Sequence, residues 1–342
     1  MGGAIFNQGS VTASSVTAFA NMYCGSNGGF ARLVALLGDA WGSAAARFSN
    51  LISDTPALQD VNIVVVNAPS GTGWAGYFGA SNNFLATSSQ NSNEALAFFI
   101  NADSVRSDLN YTLSTLLHES THMINFYQRS VARGQQHDVW LEETSAMMTE
   151  DIITPTVVTA GGAGYNKIAT ARLPQYLSTG GNVSYINWPQ LSNVNYALGG
   201  AFGAYLNRKY GLAIYKQLVT VCNDGGGVTS LSCLDALIKA NGGSGFAEDF
   251  ARFGASIFAL IPAADAGSSY GYPALTDGGY NLSEIDVSAY AAFRPGTAAA
   301  LTGGYTATSH TYKADTVANG KSSYVRTSVL VPANTTLVVV IQ

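Results

Sequence analysis

The sequence predicts an α+β protein with a mixed sheet, a helical middle and a small β-rich C-terminal part. Val61–Val66 (VNIVVV) is a run of mostly β-branched residues bounded by polar ones, which indicates a strand. Apolar residues recur at three- and four-residue spacing from Leu109 to Val131, which predicts a helix. From Gly267 onward Gly, Ser, Thr and Tyr increase. We therefore divide the chain into residues 1–105, 106–265 and 266–342.

The N-terminal part, residues 1–105, is expected to supply the sheet. A helical stretch over Arg32–Ile52 precedes the strand at Val61–Val66, and a Gly-rich connector follows. Gly76–Phe78 and Ala95–Ile100 are two further strand candidates, separated by polar turn residues.

The helix predicted around residues 109–131 carries the most informative motif of the chain. His118, Glu119 and His122 form an HExxH sequence, and residues four apart lie on one face of a helix. Both histidines can therefore reach one zinc ion, with Glu119 beside it as a general base for an attacking water. Gly134 is a plausible end of this helix.

Zinc in hydrolases usually takes three protein ligands, so the motif predicts one more ligand downstream. Residues 140–151 form a second helical segment, and a helix packed antiparallel to the first could bring Glu142 or Glu143 to the two imidazoles. His137, just before this helix, is a weaker alternative, with an ordinary surface or capping role favoured. An extended metzincin motif is excluded because Asn125 and Gln128 stand where it needs Gly and His.

The two segments together resemble a known family. The stretch WLEETSA, beginning at Trp140, is similar to the WLNEGxA segment of gluzincin metallopeptidases. HESTHMINFYQ followed by WLEETSAMMTED resembles more narrowly the hyicolysin family of secreted bacterial neutral metallopeptidases, over about residues 60–265. The resemblance implies a zincin-like fold with an active-site helix and a helical subdomain. It also implies that Glu143 is the third zinc ligand. Glu142 is then expected to be a solvated charge at the helix start, where the helix dipole favours it.

Three further features can be compared with those of zinc peptidases. The segment beginning at Asn195 is similar to the gluzincin helix that carries a tyrosine near the zinc, so Tyr196 is a candidate for stabilising an oxyanion, with a packing role equally open. In zinc peptidases an edge strand beside the helix pairs with the substrate, and Tyr77–Phe84 is the candidate here, with an ordinary buried strand and turn as the alternative. In the thermolysin-like gluzincin pattern an acidic residue follows the ligand glutamate by four positions, but here Met147 stands at that position. Glu150 lies on the same face of the helix, two turns from Glu143. The sequence therefore identifies no carboxylate that orients the zinc histidines.

The remaining elements are helices and a β-rich tail. Residues 196–210 and 231–260 predict helices that pack against the site, and residues 323–332 and 335–341 predict two strands of a small C-terminal β-domain. His310, within this tail, is expected to be unrelated to the metal.

Composition indicates a secreted protein that does not bind nucleic acid. Only 11% of the 342 residues are charged and the net charge is −5. No apolar run is long enough to span a bilayer, and no signal segment begins the sequence, so we expect a mature extracytoplasmic form. Cys222 and Cys233 flank a Gly-rich loop and are expected to form a disulfide, which leaves Cys24 free and buried or paired elsewhere.

The sequence therefore predicts a secreted zinc endopeptidase that acts on a protein or peptide substrate. One alternative is a catalytically silent, zincin-like surface or adhesion protein that binds its partner through the C-terminal β-domain. Another is a zinc hydrolase with a substrate other than a peptide. The intact HExxH motif argues against the silent protein, because a binding module needs no base. The sequence carries no signal for an oligomeric state.

Overall fold

One mixed sheet forms the N-terminal part of the protein. Its strands are β1 (Gly3–Asn7), β2 (Val61–Val66), β3 (Gly76–Phe78) and β4 (Leu96–Asn101), in the order β1-β2-β4-β3. The first three in this order are parallel, and β3 is antiparallel to β4 at the edge of the sheet. Residues of β2 alternate between buried and partly exposed, as expected for a strand with one face on the core.

The computed structural model of the chain describes residues 3–7, 9–53, 60–69, 71–188, 192–224, 227–296, 305–315, 317, 323–325, 329 and 331–341. The helices within these ranges are α1 (Ala13–Tyr23), α2 (Gly29–Leu37), α3 (Ala102–Ser107), α4 (Leu109–Asn125), α5 (Val139–Ile152), α6 (Thr154–Val157), α7 (Leu173–Ser178), α8 (Asn193–Thr220), α9 (Ser230–Ala240), α10 (Phe246–Ala259) and α11 (Ala263–Ala266). Two hairpins, β5 (Thr159–Ala160) with β6 (Ala163–Gly164) and β7 (Leu275–Asp277) with β8 (Tyr280–Leu282), complete the strands described.

Helix α4 lies at the centre of the fold. It contacts β3 and β4 of the sheet, α1 and α2, and the helix α5, which in turn packs on α8. Leu116 and Leu117 are fully buried, and the hydroxyl of Tyr23 on α1 lies 2.7 Å from that of Ser120. The chain after α4 continues as a π-helical segment, Phe126–Val131, and the helix ends at Gly134, as its position predicted.

Two helices predicted as long single elements are shorter in the structure because glycines interrupt them. The helix expected over Arg32–Ile52 is α2, which ends at Gly38 with a positive φ, and a short 3-10 segment follows at residues 43–47. The stretch 231–260 forms α9 and α10, separated by residues 241–245, which include two glycines with positive φ. The strands predicted at Val61–Val66, Gly76–Phe78 and Ala95–Ile100 are confirmed within one residue at each end.

The mixed α+β architecture is confirmed, but the small C-terminal β-domain is not. After residue 266 the described residues contain the β7–β8 hairpin and no strand over residues 335–341. Of the strand predicted at 323–332, residues 326–328 and 330 lie outside the described residues. The hairpin packs on α8, where Gly211 has a positive φ and kinks the helix. Asp277 accepts a hydrogen bond from the Leu212 amide at 2.7 Å there, which caps the second half of α8.

The predicted disulfide between Cys222 and Cys233 is present. It closes a short loop between α8 and α9, which restricts the unfolded chain and contributes about 3 kcal/mol to stability. Cys24 is free and exposed, which corrects the expectation that a free Cys24 is buried. Among the described helices, none has both the length and the apolar character that crossing a bilayer requires.

His310 anchors the segment 305–312 to the helical part, away from the predicted metal residues. Its Nε2 donates to the Phe250 carbonyl at 2.7 Å, and its Nδ1 lies 2.9 Å from the Tyr176 hydroxyl. Although the residue is partly exposed, its ring lies among Phe250, Phe253 and Phe258. Burial lowers the pKa of His310 to about 4, against the opposing effect of the bond to Phe250. The neutral ring satisfies both contacts.

We predict that His310 makes the protein less stable in mild acid. Its folded-state pKa is below the ordinary value of about 6.5, so its contribution is complete above pH 6.5 and is lost as the pH falls toward 4. The loss at pH 5 is about 2 kcal/mol. Denaturant unfolding at pH 7 and pH 5 checks this against His310→Gln, which keeps a donor and an acceptor but does not titrate. Equal acid sensitivity of the two proteins would contradict it.

Candidate metal centre

Helix α4 positions the two histidines of the motif. Asp108 caps its start by accepting a hydrogen bond from the Tyr111 amide at 2.9 Å. One turn apart on the buried helix, His118 and His122 have ring centroids 4.8 Å apart with the planes nearly perpendicular. Both residues are largely enclosed, so their ring nitrogens face protein groups rather than bulk water.

Helix α5 packs antiparallel to α4, as the sequence predicted. The contacts run in opposite directions along the chain: Asn125 pairs with Ser145 and Thr121 with Thr149 of α5, and Ser114 pairs with Thr154, just beyond the end of α5. These buried hydroxyl and amide contacts fix the register of the helix pair, which brings the acidic start of α5 to the histidines.

The side chains of His118, His122 and Glu143 converge on one point. Glu143 Oε2 lies 3.0 Å from His118 Nε2 and 3.4 Å from His122 Nε2. In a tetrahedral zinc site with bonds of about 2.1 Å, two ligand atoms lie about 3.4 Å apart. All three ligand atoms fall within 4.8 Å of one another. The spacing and the donor set, two imidazoles and one carboxylate, therefore fit a catalytic zinc ion.

The structure separates the roles of Glu142 and Glu143. Glu142 Oε1 accepts hydrogen bonds from His122 Nδ1 at 3.0 Å and from Asn125 Nδ2 at 2.9 Å, on the side of the ring opposite to Glu143. The expectation of a solvated helix-start charge is therefore wrong. Adjacent helical residues point about 100° apart, so the two carboxylates reach different nitrogens of His122. Glu142 fixes the orientation of this ring.

Glu150 occupies the matching place beside the other histidine, which sequence reasoning missed. Its Oε1 is 3.1 Å from His118 Nδ1, although the angle is too bent for a good hydrogen bond. The carboxylate is fully buried and is neutralised by Lys167 at 2.8 Å and Arg172 at 3.4 Å. Burial by itself would raise the pKa of Glu150, but these two cations lower it overall. A charged carboxylate therefore remains behind His118.

Glu119 lies against the edge strand β3. A Cβ atom at Gly76 would come within 3.1 Å of Glu119 Cγ and 2.9 Å of Thr115 Cγ2, so only glycine permits this close approach. Glu119 is buried, and among the described residues none donates a hydrogen bond to its carboxylate. Burial raises the pKa of Glu119 above its ordinary value despite the two nearby histidines. Its oxygens are thus free to accept a proton.

Tyr196, near the start of α8, is brought to the same site. Its hydroxyl donates to Glu143 Oε1 at 3.0 Å, and its ring centroid lies 6.3 Å from that of His118. Burial and the nearby Glu143 raise the pKa of Tyr196, so the phenol stays protonated and acts as a donor. Trp188 packs against its ring, with centroids 5.2 Å apart.

His137 lies outside this centre. It is buried, and its Nδ1 contacts Asp224 while its Nε2 lies 3.1 Å from the Leu218 carbonyl. Sequence reasoning placed it at the surface or at a cap, and that expectation is wrong. His137, Cys222 and Asp224 could in principle hold a metal, but the sulfur of Cys222 is bonded to Cys233. Both nitrogens of His137 are engaged, so this group is structural.

A cavity of about 310 Å³ opens next to the centre. His122, Glu142 and Glu143 line one side of it, and the aromatic side chains of Phe78 and Phe126 line the other. Ligand cavities of this size, partly apolar with a few convergent polar groups, are typical of substrate-binding sites.

Comparison with known proteins gives one family. The sequence pattern that defines the family Peptidase M30 matches residues 2–342. No curated protein matches the chain.

Proposed function

The chain belongs to the Peptidase M30 (hyicolysin) family of zinc metallopeptidases, and from that premise we propose that it is a secreted zinc endopeptidase with His118, His122 and Glu143 as metal ligands and Glu119 as general base. The observation that carries the proposal is the convergence of three ligand atoms beside a buried carboxylate with no hydrogen-bond donor among the described residues.

His118, His122 and Glu143 would hold zinc through three protein ligands, the number typical of catalytic zinc sites. Zinc held there supplies Lewis acidity, which polarises a peptide carbonyl and lowers the pKa of a bound water toward neutral. Glu142 holds the His122 ring with Nε2 toward the metal position, and the Glu150 carboxylate lies 3.1 Å from Nδ1 of His118. Lys167 and Arg172 keep Glu150 ionised, so the carboxylate that faces Nδ1 of His118 stays negatively charged.

Glu119 is proposed to move the proton. It accepts one proton from the attacking water and delivers it to the amine that leaves when the peptide bond breaks. A carboxylate in bulk water is a weak base at neutral pH, and burial makes Glu119 a stronger one. No donor among the described residues competes for its oxygens.

Tyr196 is proposed to donate to the oxyanion that develops on the substrate carbonyl. Its hydroxyl is within hydrogen-bond distance of Glu143 Oε1, so it already lies at the edge of the ligand set. A protonated phenol can transfer this hydrogen bond to a substrate oxygen without a change in charge.

The substrate is proposed to bind as an added strand along β3. One edge of β3 pairs with β4, and within the described part of the chain no other strand pairs with its second edge. An extended peptide there would pass directly over Glu119, since Gly76 contacts that side chain. The strand covers only Gly76–Phe78, and residues 80–83 form a 3-10 segment, so the pairing region is shorter than Tyr77–Phe84.

Family membership and the position of Glu119 favour this proposal over a silent surface protein, since adhesion has no use for a base beside a metal centre. Secretion is supported by the Cys222–Cys233 disulfide, because such bonds form and persist in oxidising compartments.

We expect the purified protein to cleave an unstructured protein such as casein at internal bonds, and to lose this activity with 1,10-phenanthroline. The chelator removes the ion that the three ligands hold, and zinc added in excess of the chelator should restore cleavage. A non-chelating phenanthroline isomer is the control. Cleavage that continues unchanged in the chelator would contradict the proposal.

A further inference from the structure

A second cavity, of about 450 Å³, opens at the start of α5. Its lining is largely apolar: Val139, Trp140, Ile186, Trp188 and Leu231 contribute, with Asp138 and Thr229 as polar members. The volume is within the range of pockets that bind ligands. None of the mechanistic steps above uses this cavity.

The cavity lies next to the one at the metal centre. Val139 lines both this cavity and the smaller one that contains His122 and Glu143. On the opposite wall Trp188 packs against Tyr196, whose hydroxyl contacts Glu143. Val139 precedes Glu143 by four residues on α5, which corresponds to about 6 Å along the helix axis. About two residues of an extended chain cover the same distance.

Val139, the residue common to the two cavities, is 54% exposed. A single exposed valine is not evidence of a binding site. Val139, however, belongs to an apolar lining that includes two tryptophans and lies next to the metal centre. A polypeptide bound at that centre would carry its neighbouring side chains past this surface.

We propose that this cavity, lined by Val139, Ile186, Trp188 and Leu231, is a specificity subsite for a bulky apolar side chain of the polypeptide substrate, about two residues from the scissile bond. The subsite would favour Leu, Phe, Tyr or Trp over small or charged residues, because only large apolar side chains displace water from the whole lining. This inference rests on the proposed peptidase function.

Cleavage-site mapping by mass spectrometry tests the subsite. In unstructured proteins cut by the zinc-loaded enzyme, one fixed position within about three residues of the scissile bond should be enriched in large apolar residues. For two peptides that differ only there, Phe against Ser, kcat/KM should differ at least about tenfold. In Val139→Asn and Leu231→Asn this ratio should fall toward one, because kcat/KM for the Phe peptide falls toward that for the Ser peptide.

Val221→Asn is the matched control, because this valine is 59% exposed and lines neither cavity. It should keep the wild-type ratio. Val139 is exposed at the start of α5, so its replacement leaves the core intact, and zinc content and melting temperature verify folding of each variant. Cleavage without an apolar preference, or with the ratio retained in both lining variants, would overturn the subsite alone. Absence of any cleavage by the zinc-loaded wild type would overturn both the subsite and the proposed function.

Discussion

Glu119→Gln is expected to reduce the rate of peptide cleavage at least about a hundredfold while the protein keeps its zinc. Glutamine has the shape and polarity of glutamate but cannot accept a proton, and positioned general bases contribute about 10² to 10⁴ in rate. Glu119 contacts Gly76 at the edge strand and lies beside the ligands without being one of them. Glu119→Gln should therefore preserve both the fold and the binding of the metal.

The measurement is kcat/KM on an internally quenched peptide, with zinc content determined on the same preparation. Glu248→Gln, which removes a half-exposed carboxylate on α10, is the control and should match wild type. If Glu119→Gln cleaved as fast as wild type, the proposed mechanism would fail even though the protein is an enzyme. Loss of zinc along with activity would instead assign Glu119 a structural role.

Glu143→Ala should weaken zinc binding by more than about a hundredfold. Loss of an outer partner of a zinc histidine usually lowers metal affinity about 10- to 100-fold, and loss of a direct ligand costs more. Glu143 faces the Nε2 atoms of both histidines, so its removal leaves a two-ligand site. Peptidase activity should fall with the metal.

Glu142→Ala is the neighbouring comparison, because Glu142 faces Nδ1 of His122 whereas Glu143 faces Nε2 of both histidines. We expect its zinc affinity to fall about 10- to 100-fold, from the loss of the His122 orientation. Competition titrations with a chromophoric chelator measure both variants. A larger loss of zinc in Glu142→Ala than in Glu143→Ala would show that the ligand assignment is wrong.

The sequence predicts the positions of the candidate ligand residues where these depend on local geometry. The spacing of His118 and His122 places them one turn apart, and their helix, the antiparallel second helix and the core strands follow from periodicity. The choice between Glu142 and Glu143 as the ligand cannot be made from periodicity, because the two are adjacent near the start of α5. Family resemblance favours Glu143, and the structure shows why each carboxylate reaches its own side of His122.

The partners behind His118 could not be predicted in this way. Glu150 lies two turns beyond Glu143, and the antiparallel crossing of α4 and α5 brings it to the far side of His118. Lys167 and Arg172 reach it from a π-helical stretch whose sequence carries no metal-site signal. Contacts of this kind depend on how helices cross, which local periodicity does not encode. The segment Gly3–Asn7 was missed as a strand because five residues give little pattern.

The most direct test is to titrate zinc into the chelator-stripped protein while following cleavage of casein. Activity should rise from the baseline and reach a plateau at one zinc per chain, and Glu119→Gln should bind the same one equivalent without gaining activity. Cleavage that is independent of added zinc, or a wild-type protein that binds one zinc and cleaves no peptide bond, would contradict the account.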